Sequence, residues 1–402
     1  MSEAFICAAK RSAIGRYAGG LAAVRPDDML GQIIAGTLAQ VEGFDPAVID
    51  DVIMGCANQA GEDNRNVARM SVLLGGLPTS VPAATINRLC GSGLDAVGTI
   101  ARGIRAGDLQ VGLAGGVESM TRAPFVMGKA DSAYGRAQKL EDTTMGWRLV
   151  NPVMKATHGI DSMPQTADNV AVEYGISREA QDEFAYQSQL KAAAAQKAGY
   201  FAEEILPIEI KDRKGNVTHF DTDEHPRETT LDKLATLRTV NGGDSATVTA
   251  GNASGINDGA CAVLIASEAA AQQHGLTPRA RVLGMATSGL DPRIMGVGPI
   301  EAVNKVMRLT GMTLDQMDII ELNEAFAAQA LGVCLGLNLD PKDPRLNPQG
   351  GAIALGHPLG MSGARLVTTA LTQLERTGGK YALCTMCIGV GQGIAAIIER
   401  VQ

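Results

Sequence analysis

Residues 43–53 and 311–320 carry the same short programme. Gly43-Phe44-Asp45-Pro46-Ala47-Val48-Ile49-Asp50-Asp51-Val52-Ile53 and Gly311-Met312-Thr313-Leu314-Asp315-Gln316-Met317-Asp318-Ile319-Ile320 each read as a glycine stop, a short helix and an Asp-led strand. In this register Cys56 falls opposite Asn323. The match continues at Ser92-Gly93 and Ser362-Gly363, each followed 25 residues later by the end of an apolar strand, at Val117 and Cys387. A repeat this long marks a duplicated domain rather than a solenoid, whose units are far shorter. Two such halves bury their faces against each other and place a site at the seam. Strands alternating with helices, such as Ala4–Ala9, Asp27–Gln40, Asp51–Met54, Asn66–Leu74 and Gln110–Ala114, predict mainly parallel sheets covered by helices.

Between the halves the character changes. From about Thr121 to Ala250 the chain holds more charge, Trp147 and most other aromatics, and helices expected over Thr166–Tyr174 and Arg178–Gln196, the second capped by Ser177. This stretch reads as an insertion lying over the site. The expected division is 1–120, completed by 251–274, then 121–250 as the inserted loop domain, then 275–402.

Within the first half, Val81–Ile86 reads as a buried strand and Leu94–Ala106 as an amphipathic helix with Val97, Ile100 and Ile104 on one face. Cys90, in Asn87-Arg88-Leu89-Cys90-Gly91-Ser92-Gly93, therefore sits where a strand turns into a helix. A thiol at a helix N-terminus is expected to favour its thiolate, which makes a sulfur nucleophile. A small buried cysteine is the alternative. Three other segments each follow a strand or open a helix: Asn323-Glu324-Ala325-Phe326, the glycine-rich run Gly350–Gly360 around His357, and Cys387-Ile388-Gly389-Val390-Gly391.

Other classes find little support. The formal net charge of −8 argues against nucleic acid as a partner. No apolar run reaches the length of a membrane span. Seven scattered cysteines with no signal peptide point to reduced thiols in the cytoplasm. Cys384-Thr385-Met386-Cys387 lacks the second pair or nearby histidines of a zinc site, so no metal is expected. A redox dithiol remains open there.

Taken together, N-x-x-C-x-S-G, N-E-A-F, G-G-x-x-x-x-G-H-P-x-G-x-S-G and C-x-G-x-G occur in order, and the whole chain resembles a thiolase. The resemblance implies the thiolase fold, a duplicated five-layer α-β-α-β-α core with an inserted loop domain as lid, and a homodimer or homotetramer. It implies that Cys90 takes the acyl group and that His357 accepts its proton. Cys387 is the acid/base at the acetyl-CoA α-carbon. Asn323 holds a water that completes one oxyanion site with His357, and the N–H groups of Cys90 and Gly389 form a second. CoA is implied as co-substrate with no permanent cofactor. Ser254 is expected beside the pantetheine, Met163 and Met295 beside the thioester, and Arg227 near the nucleotide. Pro226-Arg227-Glu228-Thr229 is one residue shorter after the arginine than the family pattern. Gly55–Arg69, Leu140–Arg148 and Ser162–Asn169 resemble the family's 3-oxoadipyl-CoA (β-ketoadipyl-CoA) branch of aromatic degradation. That implies a substrate with a distal carboxylate, for which Arg148, Arg65 and Arg136 are candidate partners. A general acetyl-CoA acetyltransferase acting on acetoacetyl-CoA is the alternative.

Overall fold

A computed structural model describes residues 2–401. The first half supplies β1 (Ala4–Arg11), β2 (Asp51–Gly55), β3 (Ala83–Ile86), β4 (Val111–Ser119) and β5 (Asn257–Ser267), and the second supplies β6 (Ala280–Gly289), β7 (Ile319–Leu322), β8 (Tyr381–Ile388) and β9 (Gln392–Arg400). With the two-residue strand Gly15–Arg16 beside β5, they form a ten-stranded sheet in the order β7-β8-β9-β6-β1-β5-β4-β2-β3. The duplication is written into the pairing. In the first half β2 runs parallel to β4, β4 antiparallel to β5, and β5 antiparallel to β1. In the second β7 runs parallel to β8, β8 antiparallel to β9, and β9 antiparallel to β6. Only two residue pairs, Phe5–Arg281 and Ile6–Ala280, join the halves edge to edge. The matched aspartates do the same job in each copy. Asp50 Oδ2 accepts the N–H groups of Gln110 and Val111 at 2.7 and 2.9 Å, and Asp318 Oδ2 accepts those of Lys380 and Tyr381 at 2.7 and 2.9 Å.

The strands alternate between two apolar environments, as a period of two requires. On β5, Cys261, Val263 and Ile265 face a central core, while Ala260, Ala262, Leu264 and Ala266 face an outer one. On β9, Ile394, Ala396 and Ile398 face the same central core, and Ala395 and Ile397 a third. The central core is filled by α3 (Ser92–Ala106) and the long helix α6 (Leu359–Thr377), while α1 (Pro26–Leu38) and α2 (Val67–Leu74) cover one outer face. The other outer face is covered by α4 (Gly298–Thr310) and α5 (Ala327–Gly336). The layers are therefore helix, sheet, helix, sheet, helix.

The repeated Ser-Gly pairs mark where α3 and α6 cross. A Cβ on Gly93 would stand 2.6 Å from the Gly360 carbonyl oxygen, and one on Gly363 would overlap the backbone of Leu94. Glycine is needed at both positions because two helix backbones meet there. Replacing Gly363 with alanine is expected to cost about 1–3 kcal/mol through overpacking, read as a lower urea midpoint. It should also loosen the site, because these two helix starts carry Cys90 and His357.

Glu204 and Asp223 are tied to β1 by a buried cation. Arg11 at the end of β1 donates to both oxygens of Asp223 at 2.7 and 2.9 Å and to Glu204 at 2.7 Å. Glu204 also accepts the hydroxyls of Thr369 and Thr372 on α6. Among the described residues no helix is long and apolar enough to cross a membrane.

Candidate active site

Cys90 lies in a single 3-10 turn, Leu89–Gly91, between β3 and α3. The tight turn is taken by Leu89, at φ 45°, and not by a glycine. Gly91 instead makes room for Ile388, whose Cδ1 would stand 2.5 Å from an added Cβ. Across from it Val390, between Gly389 and Gly391 after β8, is held at φ 62°. Positive φ in a leucine and in a β-branched valine is strained and concentrates at functional turns. These turns leave the N–H groups of Gly389 and Cys90 near the Cys90 sulfur, where they favour its thiolate.

The expected thiolate is not what this setting favours. Burial pushes the Cys90 thiol up to about 11, against the pull of those two N–H groups. The short turn keeps the helix start from dominating, and loss of water contact wins. Cys387 is buried near the end of β8 and is pushed still further up, first by burial and then by its neighbour Cys90. Cys384 sits on the opposite face, in the central core, while Cys387 belongs to the outer one. This places the two sulfurs of the C-x-x-C on different sides of the sheet.

His357 opens α6 after the helical turn Ala352–Leu355. Its Nδ1 lies 2.6 Å from Ser362 Oγ, and that hydroxyl donates to the Pro358 carbonyl at 2.8 Å. With the hydroxyl proton committed, Nδ1 carries the imidazole hydrogen and Nε2 is left with a lone pair. Nε2 faces Asn323 Nδ2 at 3.4 Å. Burial and the charge of Arg365 lower His357 to about 3, so the ring is neutral. Asn323 follows β7, and its Oδ1 is buried without a partner among the described residues. An orphaned acceptor beside a catalytic-type imidazole suits a bound water or a polar ligand.

These groups meet at one cavity of about 610 Å³. Cys90, His357, Cys387 and Gly389 line it, as do Ser254, Met163, Met295 and Arg227. Asn323 stands behind His357. Ser254 is held beside the Asn323–Phe326 segment by its N–H to Ala325 at 2.9 Å, and Arg227 donates to the Ala250 carbonyl. Of the three arginines proposed for a distal carboxylate, Arg148 lines the cavity. Arg65 and Arg136 are exposed and do not. Similar segments fix where a loop runs, not where its side chains point.

Three contributors escaped the sequence reading. Glu118 ends β4 beneath the cavity and accepts the N–H groups of Ala57, Asn58 and Gly360, and burial raises it to about 7. Its oxygens also lie within 4.8 Å of Cys56 and Asp63 ligand atoms, but those N–H bonds already occupy them. Asn257 Oδ1 accepts the His357 backbone N–H at 2.9 Å, and Asn257 Nδ2 reaches His225 Nδ1 at 3.4 Å. His225 lines the cavity and burial lowers it to about 4. The one available clue was a histidine two residues before Arg227.

A soft nucleophile, a second thiol, a neutral imidazole base and two converging N–H groups around one cavity can run acyl transfer through sulfur. Residues 4–269 match the family described as thiolase, N-terminal domain, and residues 276–400 match thiolase, C-terminal domain. The chain belongs to the thiolase family. It is 62% identical to the beta-ketoadipyl-CoA thiolase of Acinetobacter baylyi over 100% of both chains. It is 46% identical to the acetyl-CoA acetyltransferase of Chromobacterium violaceum over 99% of this chain and 100% of that one. Its fold superposes on human mitochondrial 3-ketoacyl-CoA thiolase with a TM-score of 0.92 at 43% identity, covering 100% of this chain and 99% of the other. As a thiolase it is an acyltransferase with the family's α/β fold.

Proposed function

We propose that this thiolase cleaves 3-oxoadipyl-CoA with free CoA, giving succinyl-CoA and acetyl-CoA through an acyl-cysteine at Cys90. The convergence of Cys90, Cys387 and His357 on one cavity carries the reaction. The full-length likeness to the A. baylyi beta-ketoadipyl-CoA thiolase, higher than to the C. violaceum acetyltransferase, supports the acyl group.

In this reading the Cys90 sulfur attacks the C3 ketone while its proton passes to His357 Nε2. The bond between C2 and C3 then breaks, and its electron pair enters the acetyl-CoA enolate. Cys387 donates a proton to C2. The succinyl group on Cys90 is next attacked by the CoA thiol, whose proton restores Cys387, and the imidazolium returns its proton to the departing Cys90 sulfur. Atoms and charges balance over the cycle. His357 and a water held by Asn323 stabilise the enolate oxygen. The N–H groups of Cys90 and Gly389 stabilise the tetrahedral anion on the acyl-enzyme, each such donor being worth about 3–4 kcal/mol.

We read residues 121–250 as the lid, since Arg148, Met163, His225 and Arg227 reach the cavity from it. Ser254 would face the pantetheine, Met163 and Met295 the thioester, and Arg227 the nucleotide end. We further propose a homodimer or homotetramer. Supporting this, β3 is a terminal strand with half-buried residues, beside the exposed Met70, Leu73 and Leu74 of α2, an arrangement that a second copy would cover. Seven free thiols support a cytoplasmic enzyme.

The test compares kcat/KM for 3-oxoadipyl-CoA, acetoacetyl-CoA and a medium-chain 3-ketoacyl-CoA, following loss of the enolate absorbance on adding CoA. The first is expected to lead by at least tenfold. A lead for acetoacetyl-CoA would move the assignment to an acetyl-CoA acetyltransferase.

A further inference from the structure

Two arginines line the cavity, and the segments that carry them are anchored by different contacts. Arg227 is bound to the Ala250 carbonyl, beside the loop that carries Ser254. Arg148 belongs to the Met145–Arg148 segment, which is fixed from the other direction. Trp147 Nε1 donates to the Asp161 carbonyl at 3.2 Å. The Asp161 carboxylate is itself held by Arg293 and Asn169, each at 2.9 Å. Two residues after Asp161 comes Met163, and two after Arg293 comes Met295, both on the cavity wall. These contacts tie the segment that carries Arg148 to the segments that carry Met163 and Met295.

The Arg148 guanidinium has no carboxylate in ion-pair range among the described residues. Its side chain makes one long contact, 3.4 Å to the Gly146 carbonyl. Arg293, its neighbour through Asp161, is already paired. The carboxylate on the cavity wall, Glu118, is occupied by three N–H groups. A half-buried, unpaired guanidinium on a cavity wall is the arrangement that favours an anionic ligand group.

We propose that Arg148 binds the distal carboxylate of a dicarboxylic 3-ketoacyl-CoA and sets the preference for it over an uncharged chain of equal length. The inference rests on the proposed dicarboxylate substrate and deepens it. In 3-oxoadipyl-CoA the carboxylate lies three carbons beyond the ketone that Cys90 attacks, on the side away from CoA. Arg148, on a segment anchored apart from Arg227, is placed for it, and Arg227 is left for the CoA phosphates.

The experiment measures the ratio of kcat/KM for 3-oxoadipyl-CoA to that for 3-oxohexanoyl-CoA, which replaces the carboxylate by a methyl group, in the wild type, Arg148→Met and Arg148→Lys. KM for free CoA is measured alongside. Arg148→Met is expected to lower the ratio by about 10- to 100-fold, the range of a charged hydrogen bond. Arg148→Lys should recover part of it, with KM for CoA moving less than twofold. A high wild-type ratio that Arg148→Met leaves unchanged overturns the pairing and spares the substrate. So does a rise in KM for CoA with the ratio constant, which would assign Arg148 to the CoA phosphates. A wild-type ratio near one overturns the dicarboxylate reading and the pairing with it.

Discussion

Cys90→Ala is expected to abolish thiolysis, lowering kcat/KM by about 10⁴-fold or more, the scale seen when an enzyme loses its nucleophile. The fold should survive, since the change removes one sulfur from a half-buried position at the edge of the central core. The size of the loss follows from how the resting site is poised. Burial holds the thiol up at about 11 and the imidazole down at about 3, so both partners rest neutral. In the proposed mechanism the nucleophile is therefore made during attack, as the proton moves to Nε2 and the developing anion is met by prepared donors. The cavity's other lining thiol, Cys387, lies on β8 two residues before Gly389. The enolate absorbance of the 3-ketoacyl-CoA should stay constant on addition of CoA, and mass spectrometry should find no acyl adduct at residue 90. Turnover persisting in this variant would remove Cys90 from the centre of the mechanism.

Much of that arrangement was legible in the chain, for a physical reason. The strand–turn–helix units are local. The apolar spacing of Leu94, Val97, Ile100 and Ile104 predicts α3, and the helix runs Ser92–Ala106. The duplicated Asp and Ser-Gly positions repeat because each copy must make the same backbone contacts. What stayed hidden depends on residues distant in sequence. The charge state of Cys90 was read from its helix, but packing against the central core buries it, and burial reverses the local preference. Ser362 stood out as half of a repeat, while its role as the partner that fixes the His357 tautomer appears only when the helix places it back over Nδ1. Leu89 takes the strained φ, and Gly91 and Gly93 supply room for Ile388 and Gly360. Arg65, Arg136 and Arg148 were equivalent as letters, and a single one reaches the cavity.

Cys387→Ala is expected to separate the two half-reactions. Acylation of Cys90 from an activated thioester should continue within about threefold, because that step uses Cys90, His357 and the two N–H groups. Exchange of the acetyl-CoA α-protons with solvent, and thiolysis of a 3-ketoacyl-CoA, should fall by about 10²–10⁴-fold, the contribution of one positioned acid or base. The sign of the Cys387 shift gives a direction as well. Burial, and then Cys90, raise this thiol far above its ordinary value, so at neutral pH it carries its proton. In the proposed mechanism cleavage uses that form, which donates to the enolate carbon. Carbon–carbon bond formation and α-proton exchange require the thiolate, which the site disfavours. Thiolysis in the wild type should therefore change little between pH 7 and 8.5. Exchange should climb with pH over the same span, by up to about tenfold per pH unit. Deuterium wash-in to acetyl-CoA, followed by NMR for the wild type and Cys387→Ala at each pH, measures both effects. Exchange at wild-type rates in Cys387→Ala would transfer the acid/base role to another group, with His357 the next candidate because its Nε2 lone pair borders the same cavity.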